Sequence, residues 1–435
     1  MERYEELVNS FSRLGKRVSD LSRIRTLLEA VGNPQNELRF VHLAGTNGKG
    51  SCAQMLADAL AHEGFKTGLF TSPYIFEFND RIRINGKNIR NEQLNELADE
   101  IQLRLCGRNL THSGFSQFEI TQAMAMLYFK RQKCDIVVLE AGLGGLLDST
   151  NAIASPLVSV ITSISFDHTA ILGETIEEIA CQKAGIIKCG AQAVMSAENP
   201  KAAVDIVRKR AAECGCELTV CNMNDVKAEQ SSVFGNEFEY KGQHFHTAMG
   251  GIHQIINALT VIECAKALRK VGFDISHESL SFGLEAQVAG RLQVLSKEPL
   301  IIVDGGHNPQ GIEALAKTLD GIKGKKTAII GMLSDKDSFS AARLIAHSAE
   351  RFVTVDDFYE RASKREELRD ILISHGAAAE ASGLSAEQTV REEILKLCGD
   401  EGLVICGSLF LAAKFADGRI VKEALCEREK LCLKR

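Results

Sequence analysis

Two rhythms of apolar and polar positions run along this chain. Short apolar runs, "RFVHLAG", "CDIVVLEAG" and "LVSVITSI", alternate with stretches of helical spacing such as "CAQMLADALAHEG" and "TIEEIACQKAG". Brief apolar runs bounded by glycine read as strands buried on both faces, and the 3.6-residue rhythm reads as the helices that cross between them. The pattern predicts an α/β layer structure with parallel strands. A second set opens at "PLIIVDGG", continues through "PQGIEALAKTLDGI" and "KTAIIGML", and finishes with "GLVICGSLFLAAKFA". Between Asn224 and Thr247 the pattern turns polar and strand-like, "SSVFGNEFEYKGQHFHTAM", which predicts an antiparallel excursion. The boundary falls within "EAQVAGRLQVL", after a helix starting near His253, and divides the chain into residues 1–288 and 289–435.

Ligands of such sheets bind at the carboxyl ends of the strands. There "VHLAGTNGKGS" runs from an apolar strand into a glycine-rich turn and then a helix. Glycines let backbone N–H groups face an anion and the helix start adds its positive dipole end, so phosphate binding is the expectation for this turn. Lys49 is placed for the β- and γ-phosphates of a nucleotide, although Gly50 separates it from Ser51, unlike the usual P-loop. "DIVVLE" ends an apolar strand on Glu140, the position of an acid that helps hold magnesium. "SFDHTAILGETIEEIACQKAGIIK" puts an Asp167–His168 pair at another strand end, followed by a helix presenting Lys183.

Composition narrows the ligands. At 435 residues, two domains are expected, and 45% hydrophobic with 25% charged residues is ordinary for a soluble globular chain. A net charge of -6 gives no reason to expect a nucleic acid or an anionic membrane. No apolar run approaches the ~20 residues needed to span a bilayer, and the charged start "MERYEELVNSFSRLGKR" lacks a signal-peptide core. The expectation is a cytoplasmic protein whose thirteen cysteines are reduced. The densest group, "CGCELTVC" from Cys214 to Cys221, lacks paired C-x-x-C spacing and reads as free thiols rather than a zinc site.

Taken in order, "VGNPQNELRFVHLAGTNGKGS", "TSPYIFEFNDRIRINGKNI", "FSQFEITQAMAMLYF", "CDIVVLEAGLGGLLDSTN", "ITSISFDHTAILGETIEEIACQKAGIIK", "GIHQIINALTVIECAKAL", "AGRLQVL", "VDGGHNP" and "CGSLFLA" resemble folylpolyglutamate synthase and dihydrofolate synthase, the folate branch of the Mur-type ATP-dependent ligases. The resemblance covers nearly the whole chain. It implies an α/β fold: an N-terminal P-loop ATPase-like domain with a mostly parallel sheet, and a smaller C-terminal Rossmann-like domain. It also implies ligation of L-glutamate to a folate-type carboxylate, dihydropteroate or a reduced folate, through an acyl phosphate made from ATP.

Residue by residue, the resemblance assigns ATP to Gly45, Thr46, Asn47, Gly48, Lys49, Gly50 and Ser51, with Asn257 on the adenine side and Arg291, Asp304 and His307 reaching the nucleotide from the linker and second domain. Two magnesium ions fall to Ser72, Glu140 and His168. Lys183 is implied to carry a carbamate, which converts a metal-repelling cation into an anionic ligand. Lys49, His168 and Lys183 form the implied catalytic set. Ser116, Gln117, Phe118 and Glu119, together with Leu147, Asp148 and Ser149, lie where the family receives its pterin-bearing substrate.

The chain departs from the family pattern at Leu146, where arginine is usual, and more mildly at Ala289, Gln182 and Gly306. Losing the arginine removes a planar charged donor beside the substrate loop. This keeps open a Mur-type ligase for a non-folate acid, and a nucleotide-binding regulator without turnover stands as a separate alternative from another class. Small-molecule substrates and a monomer are expected, with no nucleic-acid or membrane partner.

Overall fold

Val41, Leu43, Val137, Val138 and Val160 are sealed from solvent, and strands so covered require helices on both faces. The computed structural model, which describes residues 2–12, 19–110 and 114–432, meets that demand twice. By contact the chain divides into one unit of Met1–Val226 with Ile256–Ala286 and another of Lys227–Ile255 with Gln287–Arg435.

In the first unit eight strands form one sheet: β1 (Phe40–Ala44), β2 (Thr67–Phe70), β3 (Ile82–Ile84), β4 (Lys87–Asn88), β5 (Ile136–Glu140), β6 (Val158–Ile161), β7 (Gln192–Met195) and β8 (Leu218–Val220). Their order is β4-β3-β2-β5-β1-β6-β7-β8, parallel except for the β3–β4 edge. The register sets Leu43 of β1 beside Glu140 of β5 and Val160 of β6, so three strand ends open on one place. One face is packed by Leu27, Phe70, Met124 and Phe129, the other by Ile161, Ile179, Ile186, Met195 and Val207. Each such side chain contributes ~1.5–3 kcal/mol through burial. Helix Lys49–His62 lies against helix His277–Leu284 and is buried over most of its circumference. That explains why its sequence shows little amphipathic contrast.

The second unit holds two sheets. Strands β9 (Val226–Ser232), β10 (Gly235–Tyr240) and β11 (Gln243–Thr247) form the antiparallel excursion, its inner face lined by Phe238, Tyr240 and Phe245. Strands β12 (Gln293–Lys297), β13 (Leu300–Val303), β14 (Lys326–Ile330), β15 (Arg351–Thr354), β16 (Ala379–Ala381) and β17 (Gly402–Cys406) pair in the order β12-β13-β17-β14-β15-β16, with only the β12 edge antiparallel. Successive residues face opposite ways: Ile302, Ile330 and Val404 meet Ile312 and Leu315, while Ile301, Ile329 and Ile405 meet Ile394 and Phe415. Among the described residues, no helix is long and apolar enough to cross a membrane.

Candidate active site

Strand β1 ends in Ala44, and the chain then turns through Gly45–Gly48 into helix Lys49–His62. Gly48 is the N-cap at φ +86°, a left-handed conformation that side chains resist. Gly45 faces a second constraint: a Cβ there would lie 1.8 Å from Thr162 Oγ1. The segment after β6 moors the turn. Thr46 N donates to Ser163 O at 2.6 Å, Thr46 Oγ1 donates to Ser165 O at 3.1 Å and accepts from Ser165 N at 3.0 Å, and Asn47 N donates to Ser163 Oγ at 3.2 Å. Lys49 Nζ folds back onto the carbonyls of Gly45 (2.9 Å) and Thr46 (3.1 Å), over the cradle. Asn257 sits on this turn, since a Cβ at Gly48 would fall 2.3 Å from its Oδ1, and Cys52 Sγ donates to its backbone and side-chain oxygens at 3.6 Å.

Glu140 closes β5 at 3% exposure. Both its carboxylate oxygens stand 3.9 Å from the Cβ position of Gly50, and Oε2 accepts from Ser72 N at 3.1 Å. Ser72, Glu140 and the start of the Lys49 helix therefore converge. A buried carboxylate beside hydroxyl-bearing residues is a hard oxygen-donor set, which fits magnesium. His168, at φ +52°, begins the short helix Thr169–Leu172 and is exposed, with Nε2 3.8 Å from Asp167 Oδ1.

Lys183, in the last turn of helix Ile176–Ala184, is only 2% exposed. Burial, helped by the positive charge of Lys49 and opposed by Asp167, holds its ammonium down to about 7. Much of this side chain is thus a neutral amine near pH 7, the form that reacts with carbon dioxide. Lys183 feels the charges of both Lys49 and Asp167, which ties the buried lysine electrostatically to the glycine turn and to the strand end after β6.

The loop after β5 folds around Asp148. Its Oδ2 accepts from Leu143 N at 2.7 Å and its Oδ1 from Thr150 N (3.0 Å) and Thr150 Oγ1 (2.5 Å). Burial pushes the Asp148 carboxyl up against these bonds. With the Thr150 proton directed at Asp148, His42 Nε2, 2.9 Å from Thr150 Oγ1, must carry the donating hydrogen. Its Nδ1 is then a bare acceptor with no partner, and burial drives the imidazole down to about 3. Ser149 Oγ is also buried without a partner, while the adjoining Leu147 is half-buried. Leu146 is 42% exposed; its amide donates to Gln182 O at 2.6 Å, and its side chain packs at Gly185.

Ser116 and Glu119 form a reciprocal cap on helix Gln117–Arg131, with Ser116 N and Oγ donating to Glu119 Oε2 at 2.8 and 2.9 Å. Glu119 also pairs with Arg23 at 2.9 Å. Gln117 Nε2 donates to Phe11 O at 3.2 Å. Phe118 points elsewhere: its ring lies against Gly142 and 5.7 Å from Phe70, beside the Asp148 loop. In the second unit, Asp304 accepts from Leu292 N (2.8 Å) and Gly306 N (2.7 Å), His307 Nδ1 bonds Gly305 O at 2.9 Å, and Arg291 is half-buried.

Sequence reasoning missed the moorings Thr162, Ser163 and Ser165, the His42–Thr150 link to Asp148, and Arg23. The hydroxyl-rich run "TSIS" directly after an apolar strand was the available signal for the first group.

The Mur ligase middle domain model matches residues 43–265, and the Mur ligase glutamate ligase domain model matches residues 290–409. The dihydrofolate synthase/folylpolyglutamate synthase of Bacillus subtilis is 35% identical over 412 residues, covering 90% of this chain and 92% of the relative. Mycobacterium tuberculosis folylpolyglutamate synthase complexed with ADP superposes with a TM-score of 0.84 at 26% identity, over 95% of this chain and 97% of that one. An FPGS–AMPPCP–folate complex gives a TM-score of 0.81 at 32% identity, over 95% and 98%. With both domain models matched and relatives alike over nine-tenths of its length, the chain belongs to the folylpolyglutamate synthase/dihydrofolate synthase family of Mur-type ATP-dependent ligases.

Proposed function

We propose that this ligase joins L-glutamate to the carboxylate of a pterin-bearing acid, either dihydropteroate or a reduced folate. The observation that carries the reading is the convergence of the Gly45–Ser51 cradle, Glu140 and the nearly buried Lys183 in a chain whose relatives bear both activities in their names. A carboxylate resists attack by an amine because of its charge, so one oxygen must become a leaving group. In this reading the acid attacks the γ-phosphorus of ATP, giving an acyl phosphate and ADP, and the α-amine of glutamate then displaces phosphate. Lys49 releases its two backbone carbonyls and turns to the β- and γ-phosphates as charge spreads. The amides of Thr46 and Asn47 are spent on Ser163, so the remaining backbone amides of the turn are the proposed further donors to phosphate.

Ser72, Glu140 and His168 are the proposed magnesium ligands; when bound, the ions neutralise phosphate charge. Lys183 is the proposed carbamate site: its neutral amine adds to carbon dioxide and loses one proton, leaving an anion where a cation would repel metal. Phe118 and the Asp148 loop are proposed to receive the pterin acid, and Asn257, Arg291, Asp304 and His307 to contact the nucleotide. The chain's free cysteines support a reducing, cytoplasmic setting.

The test is ADP release by purified protein with ATP, magnesium and glutamate, adding each pterin acid in turn and identifying the amide by mass. Pterin-dependent ADP with one or both acids is expected; none with either acid overturns the folate assignment. The exposed Leu146 favours one alternative, a ligase of the same chemistry acting on a non-folate acid, which turnover with such an acid alone would establish.

A further inference from the structure

The cysteine-rich stretch after helix Lys201–Glu213 takes no part in the chemistry above, yet the fold brings a distant thiol to it. Strands β7 and β8 pair with Ala193 beside Leu218, which sets the turn entering β7 against the turn entering β8. The first turn carries Cys189 and closes through Ala191 N donating to Lys188 O at 3.2 Å. The second carries Cys214 and Cys216 around Gly215. Cys214 Sγ donates to Ile187 O at 3.5 Å, and Cys216 Sγ donates to Lys188 O at 3.1 Å and to Cys214 O at 3.7 Å. Two thiols separated by one residue thus bond the two carbonyls that immediately precede a third thiol.

Exposure differs among the three. Cys189 is open to solvent, Cys216 is half-buried and Cys214 is buried. Burial, with the neighbouring Cys189 adding to it, pushes the Cys214 thiol up despite the nearby Arg210, and Cys189 acts in the same direction on Cys216. The three sulfurs are not gathered around one ion. Among the described residues, the group of metal-ligating side chains whose donor atoms fall within 4.8 Å of one another is Glu229, Glu239 and His244.

We infer that Cys189 and Cys214 form a reversible thiol–disulfide couple, in which the exposed Cys189 is oxidised first and the sheltered Cys214 resolves it. With a peroxide as oxidant, the Cys189 thiolate attacks one peroxide oxygen, giving a sulfenic acid and releasing water. The Cys214 sulfur then attacks the Cys189 sulfur, the S–S bond forms, and a second water leaves. Two thiols lose two electrons and one peroxide gains them. The turn is fastened on its other side by Lys188 Nζ, which donates to the carbonyls of Asn151 (2.8 Å) and Ile153 (2.6 Å). Oxidation therefore exchanges local thiol hydrogen bonds for a covalent tie without unseating the segment.

The experiment treats the full chain with hydrogen peroxide at equimolar to tenfold excess, blocks remaining thiols with iodoacetamide, and maps peptides by mass spectrometry without reduction. A Cys189–Cys214 linked peptide is expected, reversed by dithiothreitol, while the exposed Cys106, Cys181, Cys398 and Cys426 form no link. In Cys214→Ser the expected product is a dimedone-trapped sulfenic acid at Cys189. In Cys189→Ser, at an exposed site, Cys214 is expected to stay reduced. Linkage of Cys189 to Cys216 or another thiol, or no linkage of Cys189 at all, overturns the assignment.

Discussion

Asn257 Oδ1 stands 2.3 Å from where a Cβ on Gly48 would lie, and Gly48 holds φ at +86°. Any side chain at residue 48 must therefore adopt a left-handed backbone and displace Asn257. Gly48→Ala is expected to cost ~1–3 kcal/mol of stability and to weaken ATP binding more than the binding of the acid substrate. Calorimetric titration with a nonhydrolysable ATP analogue checks this; unchanged affinity would remove Asn257 and Gly48 from the nucleotide site.

Glu140→Gln keeps an oxygen for the Ser72 amide while deleting the charge. The fold should survive. The magnesium concentration giving half-maximal ADP release should rise by ~10-fold or more, and a magnesium titration with circular dichroism as the control reads both effects.

For Lys183 the sign follows from its lowered ammonium. Between about 7 and 10.5 the unfolded chain binds a proton that the folded chain does not, so stability of the unmodified enzyme rises with pH across that window. Carbamate formation uses the neutral amine, so activity in carbon dioxide-depleted buffer should be low and recover on adding bicarbonate. Lys183→Ala should show neither recovery nor the carbamate signal of labelled bicarbonate in carbon NMR.

His42 acts in the opposite range. Its imidazole is held down to about 3 against an ordinary 6.5, so the unfolded chain alone is protonated between those values. Stability should fall by up to ~1.4 kcal/mol per pH unit as pH drops below 6.5. His42→Gln retains a donor for Thr150 and should flatten this dependence in urea melts at pH 4 to 7. Parallel curves for the two proteins would show that His42 is not the group responsible.

Glu119 separates structure from substrate. It caps its helix and pairs with Arg23, so Glu119→Ala should cost ~2–4 kcal/mol and lower the melting temperature. Phe118→Ala should instead raise KM for the pterin acid with less effect on melting. Equal KM effects from both would place Glu119 on the substrate as well.

The layers of both units were legible because "RFVHLAG", "CDIVVLEAG" and "LVSVITSI" are buried on both faces and carry no polar alternation to confuse them. The places of Lys49, at a helix start, and Glu140, at a strand end, were legible because a glycine turn and an apolar run are local in sequence. The His42–Thr150–Asp148 chain was not, since it joins β1 to a loop 108 residues away and depends on a register that no local rhythm encodes. Strand order was hidden for the same reason: β1 lies between β5 and β6, which follow it only after β2, β3 and β4.

The fastening of Thr46 and Asn47 to Ser163 and Ser165 bears on redesign. A nucleotide turn transplanted alone from another ligase would arrive without its anchor and spend binding affinity on ordering itself. The exchangeable module is the pair of segments 45–51 and 162–165, and grafts that move both together are the ones that should keep their grip on triphosphate.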